Sequence, residues 1–189
     1  MSDVTDKYYL DQEQVVKCHG DRSCEHLHMQ DCPVVECVGS EACFGVVIDQ
    51  LGESLSCEGR HSCHMVNATM ATTAASSSSS SSIHVACNGE VACDVAHFFN
   101  PEHVPYSVDC EGIKACRKAR IYNASTVVCS NPDIDRGDEA CWGSTTIVGN
   151  CLRCESGGCK PYINHCSMRP TMEAKREKCV AEGTQGNCS

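Results

Sequence analysis

A seven-residue motif, Cys-x-Gly-x-x-[Ala/Ser]-Cys, occurs five times in this chain and restricts its fold more tightly than any other feature. The copies are Cys18-His-Gly20-Asp-Arg-Ser23-Cys24, Cys37-Val-Gly39-Ser-Glu-Ala42-Cys43, Cys57-Glu-Gly59-Arg-His-Ser62-Cys63, Cys87-Asn-Gly89-Glu-Val-Ala92-Cys93 and Cys110-Glu-Gly112-Ile-Lys-Ala115-Cys116. The two cysteines are six residues apart in every copy, while the first cysteines follow one another at 19, 20, 30, 23 and 19 residues, counting a sixth at Cys129. That sixth copy, Cys129 to Cys141, keeps the Ala140-Cys141 ending, carries six extra residues and loses the glycine. A unit of about twenty residues, repeated with insertions, has the length of one solenoid coil, in which like positions stack from coil to coil.

The residues around each copy alternate in character. Two positions before the first cysteine stand Val16, Val35, Leu55, Val85, Val108 and Val127. Three after the second stand Leu27, Val46, Val66, Ala96, Ala119 and Ser144, and five after it Met29, Ile48, Ala68, Phe98, Ile121 and Thr146. The intervening positions hold His26/His28, Gly45/Val47, Met65/Asn67, Val95/His97, Lys118/Arg120 and Gly143/Thr145, a mostly polar and changeable set. Period two assigns the first rows to the inside of strands and the second to the outside. A leucine-rich horseshoe would need a Leu and Asn ladder that these rows lack.

The expected fold is therefore all-β, a disulfide-stapled parallel β-solenoid of about six coils and roughly 30 Å in length. Its expected bounds are residues 18–149, with a Ser-rich loop at 71–82 that contains the unbroken run Ser76 to Ser82. Residues 1–17 form an N-terminal strand that either caps the rod or exchanges into another subunit. Residues 150–189 form a separate Cys-rich module, in which the run from Pro170 to Gly183 suits one short helix.

Leu, Ile, Val and Phe together supply under one residue in five, too few for an ordinary core to explain folding, whereas 19 of 189 residues are Cys. Because only the spacing within a copy is constant, the expected bridges lie within copies: Cys18–Cys24, Cys37–Cys43, Cys57–Cys63, Cys87–Cys93, Cys110–Cys116 and Cys129–Cys141. Pairing between stacked cysteines of neighbouring coils is the alternative, since rungs lie within disulfide reach. A seven-residue loop closed by a bridge contributes about 2.4 kcal/mol on the chain-entropy estimate. The glycine after the first cysteine lets the chain turn back with positive φ, and the small residue before the second leaves room for sulfur.

A disulfide framework implies an oxidising compartment, and the sequons at Asn67, Asn123 and Asn187 point the same way, to a secreted or cell-surface glycoprotein. The first residues, Met1-Ser-Asp-Val-Thr-Asp, lack the basic start and apolar stretch of a signal peptide, so the chain reads as a mature segment whose leader has been replaced. Net charge −10 argues against nucleic-acid or anionic-membrane partners, and no apolar run is long enough for a membrane span.

The repeat resembles the Cys-rich β-solenoid repeats of secreted and surface proteins of algae, oomycetes and other protists, over about Val15 to Gly149. The resemblance implies architecture and location but no activity. The six-residue cysteine interval is also similar to that of beetle antifreeze solenoids, whose coils are shorter and carry stacked Thr-x-Thr. This chain has no Thr-x-Thr row, so ice binding is not the expected function.

An odd cysteine count leaves at least one thiol unpaired or bonded to another chain. Cys32 is the candidate for an intermolecular link, because it lies outside the motif while Cys151, Cys154, Cys159, Cys166, Cys179 and Cys188 can satisfy one another. Cys151-x-x-Cys154 with Cys159 and Cys166 has the outline of a zinc knuckle, but in a chain of paired cysteines it reads as disulfides. His26 and His28 would bind a metal with His61 and His64 or His97 only if their rows aligned, and they read as scattered surface histidines. Asp133, Asp135, Asp138 and Glu139 lack calcium-loop spacing and read as a solvated acidic loop. Trp142 reads as packed at the end of the stack.

No catalytic, cofactor-binding or metal-ligating residue is assigned. No paired carboxylates recur in the outward rows, and a polysaccharide-active enzyme is accordingly disfavoured. The expected function is that of a non-enzymatic extracellular structural protein, a subunit of a surface fibre associating head to tail through its open strand edges or a disulfide. The alternative is a monomeric adhesin or carbohydrate-binding module.

Overall fold

The computed structural model describes residues 8–10, 15–71, 82–101, 104–130, 140–141, 146–149 and 152–155. They form a parallel β-solenoid with two sheets. Each coil lays one strand on sheet A, turns at the motif, lays a second strand on sheet B, and turns again onto the next coil.

Sheet A begins with β1 (Tyr8–Leu10) and continues through β2 (Val15–His19), β4 (Val34–Val38), β6 (Ser54–Glu58), β8 (Ile83–Asn88), β10 (Tyr106–Glu111), β12 (Thr126–Ser130) and β14 (Leu152–Glu155). Sheet B holds β3 (His28–Gln30), β5 (Val47–Leu51), β7 (Asn67–Met70), β9 (His97–Phe99), β11 (Arg120–Ala124) and β13 (Thr146–Gly149), in that spatial order. Within both sheets the coils pair in parallel, and on sheet A the first cysteines stand in register: Cys18, Cys37, Cys57, Cys87, Cys110, Cys129 and Cys154.

The inward rows are those the alternation assigns. Val35, Leu55, Val85, Val108 and Val127 on sheet A and Val46, Ile48, Val66, Ala68, Phe98 and Ile121 on the sheet B side are fully or almost fully buried. The bridged cysteines are at most 2% exposed and belong to the same cluster. The interior is thus mainly apolar, with Ser23, Ser62, Asp94 and Asn100 as the buried polar residues among those described, and sulfur, alanine and serine fill the volume beside the motif turn.

The solenoid extends past both expected limits. On the N-terminal side β2 starts at Val15, and β1 folds back antiparallel on it, with Tyr8 opposite Cys18 and Leu10 opposite Val16. The N-terminal strand therefore caps sheet A of its own chain. On the C-terminal side Leu152 aligns with Val127 and Cys154 with Cys129, so Leu152-Arg-Cys154 repeats the apolar-x-Cys rung beyond residue 149. The helix expected between Pro170 and Gly183, the serine run, the acidic loop and Trp142 lie outside the described residues.

Candidate functional site: the ladders of the cysteine corner

Each motif turn is built from left-handed residues at fixed places. The glycine has φ between 110° and 149° in all five copies. A second reason for glycine is steric: a Cβ on Gly59 would lie 2.8 Å from the Gly39 carbonyl oxygen, and one on Gly89 2.7 Å from that of Gly59, whereas Gly20, in the first coil, has nothing within 4 Å. The fifth motif residue (Arg22, Glu41, His61, Val91, Lys114) and the second residue past the motif (His26, Gly45, Met65, Val95, Lys118) also have positive φ, near 60°. These conformations aim backbone N–H groups along the rod. Gly39, Glu41, Cys43 and Gly45 donate to Glu58, Arg60, Ser62 and His64 of the next coil, and the pattern recurs at later coils.

The structure joins Cys18–Cys24, Cys37–Cys43, Cys57–Cys63, Cys87–Cys93, Cys110–Cys116 and Cys129–Cys141, each within one coil, with Cα–Cα distances of 5.6 to 5.9 Å. Neighbouring bridges nearly touch: the sulfurs of Cys18, Cys37 and Cys43 lie within 4.8 Å of one another, as do those of Cys57, Cys63 and Cys93 and of Cys110, Cys129 and Cys141. These are the only groups of three ligand-type atoms so close among the described residues. All belong to closed disulfides, so they present no thiolate to a metal.

Stacking brings the residue after each second cysteine into one column: Glu25, Phe44, His64, Asp94 and Arg117. The Phe44 ring meets His64 edge-on at 5.1 Å, and His26 packs on its other side at 5.3 Å. Asp94 is 2% exposed, and Arg117 donates to both its oxygens, at 3.0 and 2.5 Å. His64 Nε2 stands 3.7 Å from Asp94 Oδ2. Burial pushes the His64 imidazole down from its ordinary value, against the opposing pull of Asp94, and the Asp94 contact holds the Arg117 guanidinium up. In the parallel column Arg22 donates to Glu41 at 2.9 Å.

Of the histidines considered together, the fold brings His61 and His64 into contact, with ring centroids 5.4 Å apart. Phe44 stands between His64 and His26. His28 is on sheet B, 2.6 Å from Asp49, and His97 is on the same sheet three coils away, its imidazole pushed down by burial and by Arg120.

Cys32 is free but 8% exposed, its thiol directed at the Gln30 carbonyl 3.5 Å away and pushed up by burial and then by Asp31. Its carbonyl accepts from Gly52 N, which sets it level with fully buried Leu51 of the next coil. It is the unpaired thiol expected from the odd count, and in this fold it is a core residue.

Two sequons are described. Asn67 is exposed on the outer face of β7, and Thr69 Oγ1 bonds within its own sheet. Asn123 is half-buried and its Nδ2, the atom a glycan would occupy, donates to the Asn100 carbonyl at 2.8 Å. Asn187 lies outside the described residues.

The Asp94–Arg117 pair joins residues 23 apart and is absent from a local reading of the sequence, whereas His61 and His64 stand three apart. The signal was there in the alignment of copies: each pair occupies either the same column in adjacent coils or the two ends of one turn.

The outer face of sheet B carries a different grouping. Phe99, 45% exposed, meets Tyr122 of the next coil edge-on at 6.1 Å, beside His97 and Arg120 in the adjoining row. Compared with protein-family models, curated proteins and solved structures, the chain matches none.

Proposed function

We propose that this chain is a non-enzymatic extracellular structural protein, a short rigid rod that serves as a subunit of a surface fibre. The observation that carries the reading is the column of six buried bridges closed inside successive coils. Such bridges persist in oxidising surroundings, and they stiffen a rod without relying on a wide core. The same column supports kinship with the Cys-rich β-solenoid repeats of protist surface proteins. The only buried carboxylate among the described residues, Asp94, is neutralised by Arg117 rather than left to act as a base.

Head-to-tail association has its route at the N-terminal end in sheet B. Sheet A ends there in the three-residue antiparallel strand β1, whereas sheet B ends in the parallel strand β3, which pairs only with β5 among the described residues. Subunits therefore add through the β3 edge, by β-augmentation, with no covalent link at Cys32. Light scattering and electron microscopy of the non-reduced protein test this: concentration-dependent linear oligomers are expected. A monodisperse monomer at high concentration refutes the fibre.

The second reading, a glycan-binding module, is favoured by Phe99 and Tyr122 on the outer face of sheet B, flanked by hydrogen-bonding His97 and Arg120. A glycan array on the monomer tests it, with saturable binding lost in F99A as the supporting result.

A further inference from the structure

The geometry points to a binding site for one borderline divalent cation, Zn²⁺ or Cu²⁺, on the third cysteine corner, chelated by the imidazoles of His61 and His64. The site is distinct from the strand edges and the aromatic face invoked above.

Four observations converge on it. The first is spacing. Two imidazoles bound to one tetrahedral ion at about 2.0–2.1 Å per nitrogen have ring centroids roughly 5.3 Å apart, once the centroid's setback behind its nitrogen is added. The His61 and His64 centroids are 5.4 Å apart. The second is rigidity: His61 sits inside the loop closed by Cys57–Cys63, His64 directly follows Cys63, and His64 N donates to the His61 carbonyl at 3.2 Å, so little ordering is left to be done on binding.

The third is an orphan atom. His61 Nδ1 is buried and has no hydrogen-bond partner, a condition that native structures seldom leave without a compensating ligand. The fourth is support from behind. Asp94 faces Nε2 of His64 and is itself clamped by Arg117. With the carboxylate on the Nε2 side at 3.7 Å, Nδ1 of His64 is the nitrogen left to meet a metal.

The donor set selects the class of ion. Imidazole nitrogens suit Zn²⁺ and Cu²⁺ rather than Mg²⁺ or Ca²⁺, which take oxygen. With two protein ligands the remaining coordination positions go to water, so the ion stays exchangeable. The other histidines with close acidic neighbours, His19 with Glu36, His26 with Glu25, His28 with Asp49 and His84 with Asp109, contribute one imidazole each and form no such chelate.

The test uses the oxidised full chain. Calorimetric titration with Zn²⁺ in a non-coordinating buffer is expected to give one equivalent bound, weakened at least tenfold in H61Q and in H64Q and unchanged in H28Q and H84Q. With one equivalent of Cu²⁺, paramagnetic resonance of the unmutated protein is expected to show coupling to two imidazole nitrogens, a reading that needs no variant to fold. Zn²⁺ affinity unaltered in both H61Q and H64Q, or a Cu²⁺ spectrum with fewer than two nitrogens, overturns the assignment.

Discussion

At the cysteine corner, eight residues separate the strands of sheet A and sheet B in every one of five coils: 20–27, 39–46, 59–66, 89–96 and 112–119. At the opposite corner the connection takes anything from one residue, at 125, to twelve, at 71–82. The first corner is closed by sulfur, lined by Ser23, Ala42, Ser62, Ala92 and Ala115, and stacked glycine on glycine. The second is filled by large side chains, among them Leu51, Met70 and Tyr106, whose buried hydroxyl donates to the Tyr122 carbonyl at 2.8 Å and is pushed well up by burial.

Length is conserved from coil to coil where a covalent bridge and close backbone contact admit one geometry. It drifts where side-chain packing can absorb an insertion, because adding residues to a loop costs only slowly growing closure entropy. The drifting corner accordingly holds the serine-rich insertion, and the fixed one holds the residue columns that carry chemistry.

The largest expected contrast lies within the fixed corner. Gly20 and Gly59 share a positive φ, 110° and 116°, but only Gly59 sits against a preceding coil. G59A combines backbone strain with a clash against the Gly39 carbonyl and is expected to cost about 4 kcal/mol. G20A bears the strain alone, about 1–2 kcal/mol. Chemical denaturation of the two variants measures the difference, and equal losses would show that the coils do not stack at their glycines.

Next in size is the bridge itself. The double variant C57A/C63A is expected to lose about 3 kcal/mol, mostly the entropy of the closed loop. Ser62, at 0% exposure, has a hydroxyl with no partner where three of the other copies carry alanine, so S62A is expected to gain about 1 kcal/mol in the same assay.

At the drifting corner, deleting Ser76 to Ser82 shortens the connection between Met70 and Ile83, and its expected effect is under about 1 kcal/mol. A larger loss in thermal melting would mean that the serines are structural.

The smallest expected effect concerns pH. The folded-state pKa of His64 is lowered by burial, so the unfolded chain binds its proton first. The stability this neutral histidine contributes is full above about 6.5, its unfolded value. It declines as pH falls through 6.5 toward the lower folded value. Melting temperatures between pH 7.5 and 5 read this slope, which is expected to flatten in H64Q.

The cysteine corner was the legible part of the molecule. Period-two rows beside a constant motif place Val35, Ile48, Val85 and Phe98 inside without knowledge of neighbours. What depended on contacts between coils was hidden. The glycines read as turn residues, while their contact with the preceding coil needs the stack. Leu152-Arg-Cys154 escaped because it lacks the glycine by which copies are recognised. Cys32 read as a leftover thiol, since the variable second corner obscures its alignment with Leu51. Asn123 matched a sequon, and only the fold reveals that Asn100 already holds its amide.

The central claim is that sulfur closes each coil on itself. Peptide mapping of the non-reduced protein, cleaved between Cys43 and Cys57 and between Cys63 and Cys87, tests it most directly. The expected result is a Cys57–Cys63 linkage within one fragment, with Cys87–Cys93 separate from it. Finding Cys57 or Cys63 joined to Cys87 or Cys93, or all four as free thiols, would contradict it.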